Sequence, residues 1–158
     1  MKSLIGWVKS KTNSKTQLNI SIKPEPSVTV DSSEIIARFL TSSSHVAKSK
    51  GRIKYASYLP APDGETSVYR VSGISNHEID DIGDKYVREP RIKNGGKCTI
   101  HGWSEVEAIV ILNTKIIIEP KTIPHARHAN LKNWLDTRIE RIKQATDIAN
   151  KATYHNRV

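Results

Sequence analysis

Two stretches of alternating residues, separated by a turn sequence, place the strongest limit on how this chain folds. Residues 51–60 read GRIKYASYLP and residues 65–74 read ETSVYRVSGI, and both are rich in the β-branched and aromatic residues that favour strands. The intervening APDG has Pro and Gly at positions that favour a turn. We predict a hairpin with strands at about residues 52–59 and 66–73. Because side chains two apart share a face, Arg52, Lys54 and Tyr58 give it a basic and aromatic face.

Further elements follow from periodicity and capping signals. Ser75 and Glu78 have the spacing of a capping box, which predicts a helix over about residues 76–87 with Ile79, Ile82 and Val87 buried. SSEIIARFLTSS, residues 32–43, predicts a short helix, and KIIIEP, residues 115–120, predicts a strand. KCTIHGW is a strand candidate, REPRIKNGGKC is predicted as a loop, and SEVEAIVILN fits either a strand or a helix.

The C-terminal part has helical spacing from Leu131 onward, continued by Trp134, Leu135, Arg138, Ile142, Ala145, Ala149 and Ala152. The predicted fold class is therefore α+β. We expect a central, mostly antiparallel sheet of four to five strands, two short helices and a long C-terminal amphipathic helix.

The positive charge is concentrated at the beginning of the chain. The formal net charge is +9, and residues 1–30 contribute +4 of it, from five lysines against Glu25. Pro24, Pro26 and the polar composition predict a flexible basic arm or linker over residues 1–31, followed by one compact domain over residues 32–158. A basic chain favours an anionic partner such as DNA or RNA.

The compartment can be predicted from what the sequence lacks. Cys98 is the one cysteine, which excludes an internal disulfide framework and is typical of a reducing compartment. No stretch reaches the roughly 18 to 20 apolar residues that span a bilayer, and the start of the chain lacks a signal-peptide apolar region. We expect a cytoplasmic protein without a membrane partner.

TIPHARHANLKNW, residues 122–134, contains the densest cluster of chemically able side chains. Placed before the predicted final helix, Asn130 is a candidate N-cap, and Arg127, His128 and Lys132 are candidates to bind a phosphate at the helix start. The bland alternative is a capped junction in which Arg127, His128 and Asn130, with Arg70 from the hairpin, hydrogen-bond buried backbone groups.

Zinc is the less favoured interpretation of the same region. Cys98-x-x-His101 and His125-x-x-His128 have zinc-like spacing. However, positions i and i+3 of a strand face opposite sides, so Cys98 and His101 diverge if they lie in one. No dinucleotide, P-loop, zinc-protease or serine-hydrolase motif is present either. We predict no metal site and no cofactor.

The hairpin and the polar cluster together resemble a group of small, uncharacterised bacterial and phage-associated proteins. The group's pattern has K-x-x-x-F-x-P and E-T-S-V-F-R strands, a G-L-x-x-x-E-I-W-x-I-G helix and a closing R-H-A-N-I-x-G-W-P, and the similarity covers about residues 33–152. This chain departs from it at Tyr58, Tyr69, Asp81 and Lys132-Asn133. The resemblance implies no activity. It implies recurring polar positions at Lys54, Thr66, Ser67, Arg70, Arg127, His128 and Asn130.

Three functions remain open from the sequence. The favoured one is nucleic-acid association, with the phosphate backbone bound by the arm and by a patch comprising Arg52, Lys54, Arg70, Arg127, His128, Asn130 and Lys132. The second is a metal-independent nuclease or nucleotide-processing enzyme with His128 and Arg70 as catalytic residues, and with His125 and Lys54 as further candidates. The third is a non-catalytic accessory subunit of a larger bacterial or phage complex.

Overall fold

An antiparallel sheet of six strands organises the chain. The structure, a computed structural model, describes residues 25–47 and 51–157, so most of the predicted basic arm lies outside the described residues. The sheet has the order β6-β7-β4-β1-β5-β8, and β2 and β3 form a separate two-stranded ribbon. The strands are β1 Ile35–Phe39, β2 Val46–Ala47, β3 Arg52–Ile53, β4 Thr66–Arg70, β5 Trp103–Glu107, β6 Ile117–Pro120, β7 His128–Lys132 and β8 Thr153–His155.

The helices lie on both faces of this sheet. Their bounds are α1 Asn76–Gly83, α2 Glu89–Lys93, α3 Ala108–Leu112 and α4 Arg138–Ala149, with a π-helical turn Asp84–Arg88 joining α1 to α2. The α+β class and the antiparallel sheet are confirmed. The sheet has more strands than the four to five expected, and the C-terminal helix is shorter than its periodicity suggested.

The first central strand corrects the helix predicted for residues 32–43. Ile35–Phe39 is β1, which pairs with β4 on one side and β5 on the other. Ile36 is fully buried on one face of the sheet, and Ala37 and Phe39 are buried on the other. A strand covered on both faces has a continuous apolar run, which periodicity alone cannot distinguish from a buried helix.

The predicted hairpin is also corrected. The turn at Ala61–Gly64 is present, with the Gly64 N–H donating to the Ala61 carbonyl. The strands on its two sides do not pair with each other, however: β3 pairs with β2, and β4 pairs with β1 and β7. Residues Tyr55–Ser57 form a 3-10 turn instead of continuing the strand. Since Tyr58 is fully buried and bonded to Ser104 on β5, tertiary packing overrides the local alternation.

Helix starts follow the capping chemistry closely. The Ser75–Glu78 capping box is present at α1, and Ile79 and Ile82 are buried as predicted. Part of the predicted loop at residues 88–98 is helical, as α2. SEVEAIVILN contains both predicted alternatives, since most of it divides between β5 and α3, and KIIIEP contains β6.

The C-terminal helix begins later than its periodicity indicated. Leu131 and Lys132 belong to β7, and α4 starts after Thr137, which forms a second capping box with Glu140. The proposed N-cap role of Asn130 is therefore wrong, because Asn130 lies inside a strand. Strand pairing with β4 and β6 satisfies its backbone, so no helix start exists at this position.

Each face of the sheet covers its own apolar cluster. One cluster joins Ile36, Val68 and Leu131 to α3 and α4, and the other joins Phe39, Tyr69 and Trp103 to α1. The contact with α1 is close: a Cβ added at Gly83 would lie 2.7 Å from Phe39 Cε1. The helix and the π-helical turn that follows it are thereby held against the face of the sheet that carries the candidate site.

Candidate active site

A cleft of about 470 Å³ opens on the face of the sheet that carries Ser67, Tyr69, His128 and Asn130. Three segments form its walls: the loop before β4, the π-helical turn with the start of α2, and the loop between β6 and β7. Its lining includes the side chains of Arg38, Asp63, Glu65, Ser67, Tyr69, Tyr86, Arg91, Lys121, His128 and Asn130.

Strand register brings these side chains together. Ser67 pairs with Asn130, and Tyr69 pairs with His128, across the β4–β7 ladder. Residues directly opposite each other, and residues two apart on one strand, share a face of the sheet. The four side chains therefore form one continuous patch, in which the rings of Tyr69 and His128 make an edge contact at 5.3 Å between centroids.

His128 has both ring nitrogens in hydrogen bonds. Its Nδ1 lies 3.0 Å from the carbonyl oxygen of Lys121, and its Nε2 lies 3.3 Å from Ser67 Oγ. A carbonyl oxygen can only accept, so Nδ1 carries the proton, and in the neutral ring Nε2 accepts from the Ser67 hydroxyl. The loop carbonyl thus selects the tautomer that directs a basic nitrogen at a hydroxyl.

The protonation state of His128 follows from its surroundings. Burial lowers the pKa of His128 below its usual value and outweighs the opposing effect of the hydrogen bond to the Lys121 carbonyl. The side chain is therefore neutral at neutral pH. A neutral, oriented imidazole beside a hydroxyl has the properties of a general base.

Asn130 contributes an unused acceptor to the same cleft. Its residue is 4% exposed, its Nδ2 donates to Glu65 Oε2, and its Oδ1 is buried without a hydrogen-bond partner among the described residues. The carboxylate of Glu65 only accepts, so the amide orientation is set by chemistry. Glu65 also receives Lys132 Nζ at 2.9 Å. Buried polar atoms are usually satisfied, so this amide keeps part of its hydrogen-bonding capacity unused.

Arg38 supplies a cation at the edge of the patch. Its Nε donates to the Ser57 carbonyl at 3.0 Å, and its Nη1 donates to the Ser67 carbonyl at 2.7 Å. Burial, assisted by the charge of Arg91, lowers the pKa of Arg38 to about 10, which leaves it charged at neutral pH. A guanidinium has five N–H donors, so others remain for an anionic ligand.

Arg70, expected beside His128, lies on the opposite face of the sheet. It is 2% exposed and makes a bidentate ion pair with Glu34, with Nε to Oε2 at 2.7 Å and Nη2 to Oε1 at 2.5 Å. It also donates to the carbonyl oxygens of Ser27 and Thr29. Because adjacent residues of a strand face opposite sides, Tyr69 faces the cleft and Arg70 cannot. We call this group of Arg70, Glu34 and the two carbonyls the clamp.

The other predicted patch residues are distributed over separate places. Arg127 donates from Nη1 to the carbonyls of Arg70 and Ser72 at 3.1 and 3.2 Å, as a strut at the end of β4. Lys132 is held between Glu65 and Glu119. Arg52 and Lys54 are exposed at the β2–β3 ribbon. Of the predicted patch, the structure brings only His128 and Asn130 into the cleft.

The zinc-spaced pairs do not form a metal site in the part of the chain that the structure describes, where no group of three or more His, Cys, Asp or Glu side chains is placed to hold an ion. His125 Nδ1 accepts from the Arg127 N–H, and its ring lies 4.7 Å from that of Tyr86. Cys98 is half-buried and packs against the apolar cluster beneath α1.

Arg38, Glu65 and Tyr86 were missed as candidates by sequence reasoning, and Ser67 entered through a resemblance alone. One signal for Arg38 was available: it is the charged residue within the apolar run IIARFL. A charge inside a buried strand needs specific partners, which makes it a site candidate. No local signal pairs Ser67 with His128, because 61 residues separate them.

Comparison with protein-family models, curated proteins and solved structures finds no match to this chain. Among the described residues, no helix is both long and apolar enough to cross a membrane.

Proposed function

We propose that the protein is an enzyme that binds a nucleotide, or one nucleotide unit of a nucleic acid, and uses His128 as a general base. The observation that carries this proposal is the fixed imidazole: Nδ1 bonded to the Lys121 carbonyl and Nε2 facing the Ser67 hydroxyl in an open cleft. A base with a hydroxyl partner and an orienting third group is the arrangement used for proton abstraction in enzymes.

The charge of the cleft supports an anionic substrate. Arg38, Arg91 and Lys121 are cations in its lining. Cations at fixed positions stabilise the charge that develops on a phosphoryl group during transfer. The guanidinium of Arg38 is the best placed of the three, because it is anchored to the backbone carbonyl of Ser67, beside the general base.

Other lining groups suit the rest of a nucleotide. Tyr86, half-buried in the wall of the cleft, presents an aromatic ring on which a base can stack. The carboxylates of Asp63 and Glu65 are acceptors for sugar hydroxyls or base N–H groups. The volume falls within the range of about 300 to 1,000 Å³ that is usual for small-ligand sites.

Nucleic acid remains the polymer that best fits the sequence charge. The five lysines of residues 1–30 and the exposed Arg52 and Lys54 supply positive charge outside the cleft. We expect these groups to raise affinity for a polymer over a mononucleotide in a salt-dependent way. Arg70 is no longer a catalytic candidate in this proposal, because the clamp occupies its guanidinium.

The test is a turnover and binding screen with the full chain. Nucleoside mono-, di- and triphosphates and short DNA and RNA oligonucleotides are incubated with the protein, and products are separated by ion-exchange chromatography. We expect turnover that His128→Ala lowers by about 10² to 10⁴-fold, the usual contribution of a general base. His77→Ala is the matched control, since that imidazole is 79% exposed on α1. Turnover unaffected by His128→Ala, or no binding of any substrate, contradicts the proposal.

A further inference from the structure

Ser67 has features that a purely structural serine would lack. Its residue is exposed, it lines the cleft, and the hydroxyl's hydrogen bond within the described residues is the one with His128 Nε2. A serine that only oriented the imidazole would duplicate the role of the Lys121 carbonyl, which already selects the tautomer. The hydroxyl donates to a basic nitrogen, which is the arrangement that activates a serine as a nucleophile.

The groups around Ser67 complete a site for displacement at phosphorus. Arg38 Nη1 is bonded to the carbonyl oxygen of Ser67 itself, so a guanidinium lies beside the attacking residue. Asn130 is the cross-strand partner of Ser67, and its buried Oδ1 has no hydrogen-bond partner among the residues described. A cation for the phosphoryl oxygens thus lies beside the hydroxyl.

We propose that Ser67 is a catalytic nucleophile that forms a covalent phosphoserine ester from a phosphodiester bound in the cleft. This inference rests on the proposed function and names the reaction of the same site. Ser67 Oγ attacks phosphorus while His128 Nε2 takes the hydroxyl proton. The Oγ–P bond forms, the P–O bond to the leaving group breaks, and His128 returns the proton to the leaving alkoxide oxygen.

Water completes the cycle through the same groups in reverse. A water molecule that enters the cleft loses a proton to His128 Nε2, and its oxygen attacks phosphorus. The Oγ–P bond breaks, and His128 protonates Ser67 Oγ. The net reaction is hydrolysis of one P–O bond. It needs no oxidant, reductant or other co-reactant.

A covalent probe tests the nucleophile without knowledge of the natural substrate. Diisopropyl fluorophosphate reacts with an activated serine: the Oγ–P bond forms, the P–F bond breaks, and the hydroxyl proton leaves with fluoride. The full chain is incubated with the probe at neutral pH, and intact-mass spectrometry with peptide mapping locates the adduct. We expect one adduct, on Ser67, with formation slowed at least about 100-fold in His128→Ala. Ser67→Ala should give none.

The matched control is Ser44→Ala, which removes an exposed hydroxyl outside the cleft and should leave labelling unchanged. Absence of an adduct on Ser67 in the wild-type chain overturns the inference, as does equal labelling in His128→Ala. The two proposals fail separately. Nucleotide turnover that depends on His128 but survives Ser67→Ala would show that Ser67 is not the nucleophile, and the role of His128 as general base would stand. Labelling of Ser67 without binding of any nucleotide would support Ser67 as a nucleophile and would contradict the proposed substrate.

Discussion

The two faces of β4 carry opposite kinds of polar chemistry. On one face, Ser67 is exposed in a cleft beside a neutral imidazole and an unsatisfied amide oxygen. On the other face, Arg70 is 2% exposed, and the clamp engages its guanidinium with a carboxylate and two carbonyl oxygens. Polar residues of one strand therefore differ in whether their hydrogen-bonding capacity is used within the fold or is left available to a ligand.

Arg70→Ala should have the largest effect, and it acts on stability. Removing one partner of a buried ion pair leaves an uncompensated charge, here the Glu34 carboxylate, and costs about 3 to 5 kcal/mol. Urea unfolding followed by circular dichroism measures this loss. The matched control, Arg52→Ala, removes an exposed guanidinium and should stay within about 0.5 kcal/mol of wild type. A loss below about 1 kcal/mol for Arg70→Ala would mean that the clamp is replaceable by water.

Gly83→Ala should affect both regions moderately. The added Cβ would lie 2.7 Å from Phe39 Cε1 and 3.2 Å from Ile100 Cδ1, so the Phe39 ring or α1 must shift. Overpacking of this kind costs about 1 to 3 kcal/mol. Because the wall carrying Tyr86 continues from α1, binding in the cleft should weaken too. Thermal unfolding and nucleotide binding measured on one sample test this, and unchanged binding would show that the wall is independent of α1.

The pH dependence of stability should reflect the ionisation of Glu34 in the clamp. Burial raises the pKa of Glu34, but hydrogen bonds from Arg70 and the Asp31 N–H, with the charge of Arg70, bring it below its ordinary value of 4.5. As the pH falls, Glu34 is protonated at a higher pH in the unfolded chain than in the folded protein. The contribution of Glu34 to stability is therefore complete above pH 4.5, and it is lost as the pH falls through the lower pKa of the folded protein. One proton gives a slope of at most about 1.4 kcal/mol per pH unit.

Urea unfolding of wild type and Glu34→Gln from pH 7 to pH 3 isolates this contribution. We expect the amide variant to be less stable at pH 7 and to lose less stability on acidification. A parallel decline of the two proteins would assign the acid sensitivity to other carboxylates.

The pH dependence of activity should reflect the protonation of His128 in the cleft. We expect it to be the smallest of these effects. Burial keeps the pKa of His128 below its usual 6.5, so the acid limb of kcat/KM lies below that pH. The Lys121 charge lowers this pKa further, and Lys121→Ala retains the carbonyl that orients the ring. The variant should therefore move the limb upward. The pH profile is measured with saturating and with limiting substrate. An acid limb that does not move in Lys121→Ala would show that a group other than His128 titrates.

The elements predicted correctly are those whose sequence signals lie within a few neighbouring residues. The Ser75–Glu78 box and the strand within KIIIEP needed neighbouring residues only. The errors arose where tertiary packing decided. Ile35–Phe39 is a strand because β4 and β5 pair with its two edges. The two sides of APDG separate because β3 pairs with β2, and β4 pairs with β1 and β7.

The candidate site was predictable in part. The sequence predicts His128 and Asn130 as phosphate-binding candidates at a helix start that does not exist at their position, and it predicts His128 also as a catalytic candidate. The sequence predicts Arg70 for the same site as a cation supplied by the predicted hairpin and as a recurring polar position of the resembled group. Whether Arg70 faces the cleft depends on the register of its strand, because a shift by one residue moves every side chain of the strand to the opposite face of the sheet.

The sequence is enough to predict the α+β class, the capping boxes, the turn at Ala61–Gly64 and His128 as a candidate general base, because these depend on residue chemistry over a few positions. The tertiary structure alone decided that Ser67 meets His128 and that Arg70 meets Glu34, across separations of 61 and 36 residues. Strand alternation assigns each side chain to a face, but only the pairing of distant strands determines what each face contains.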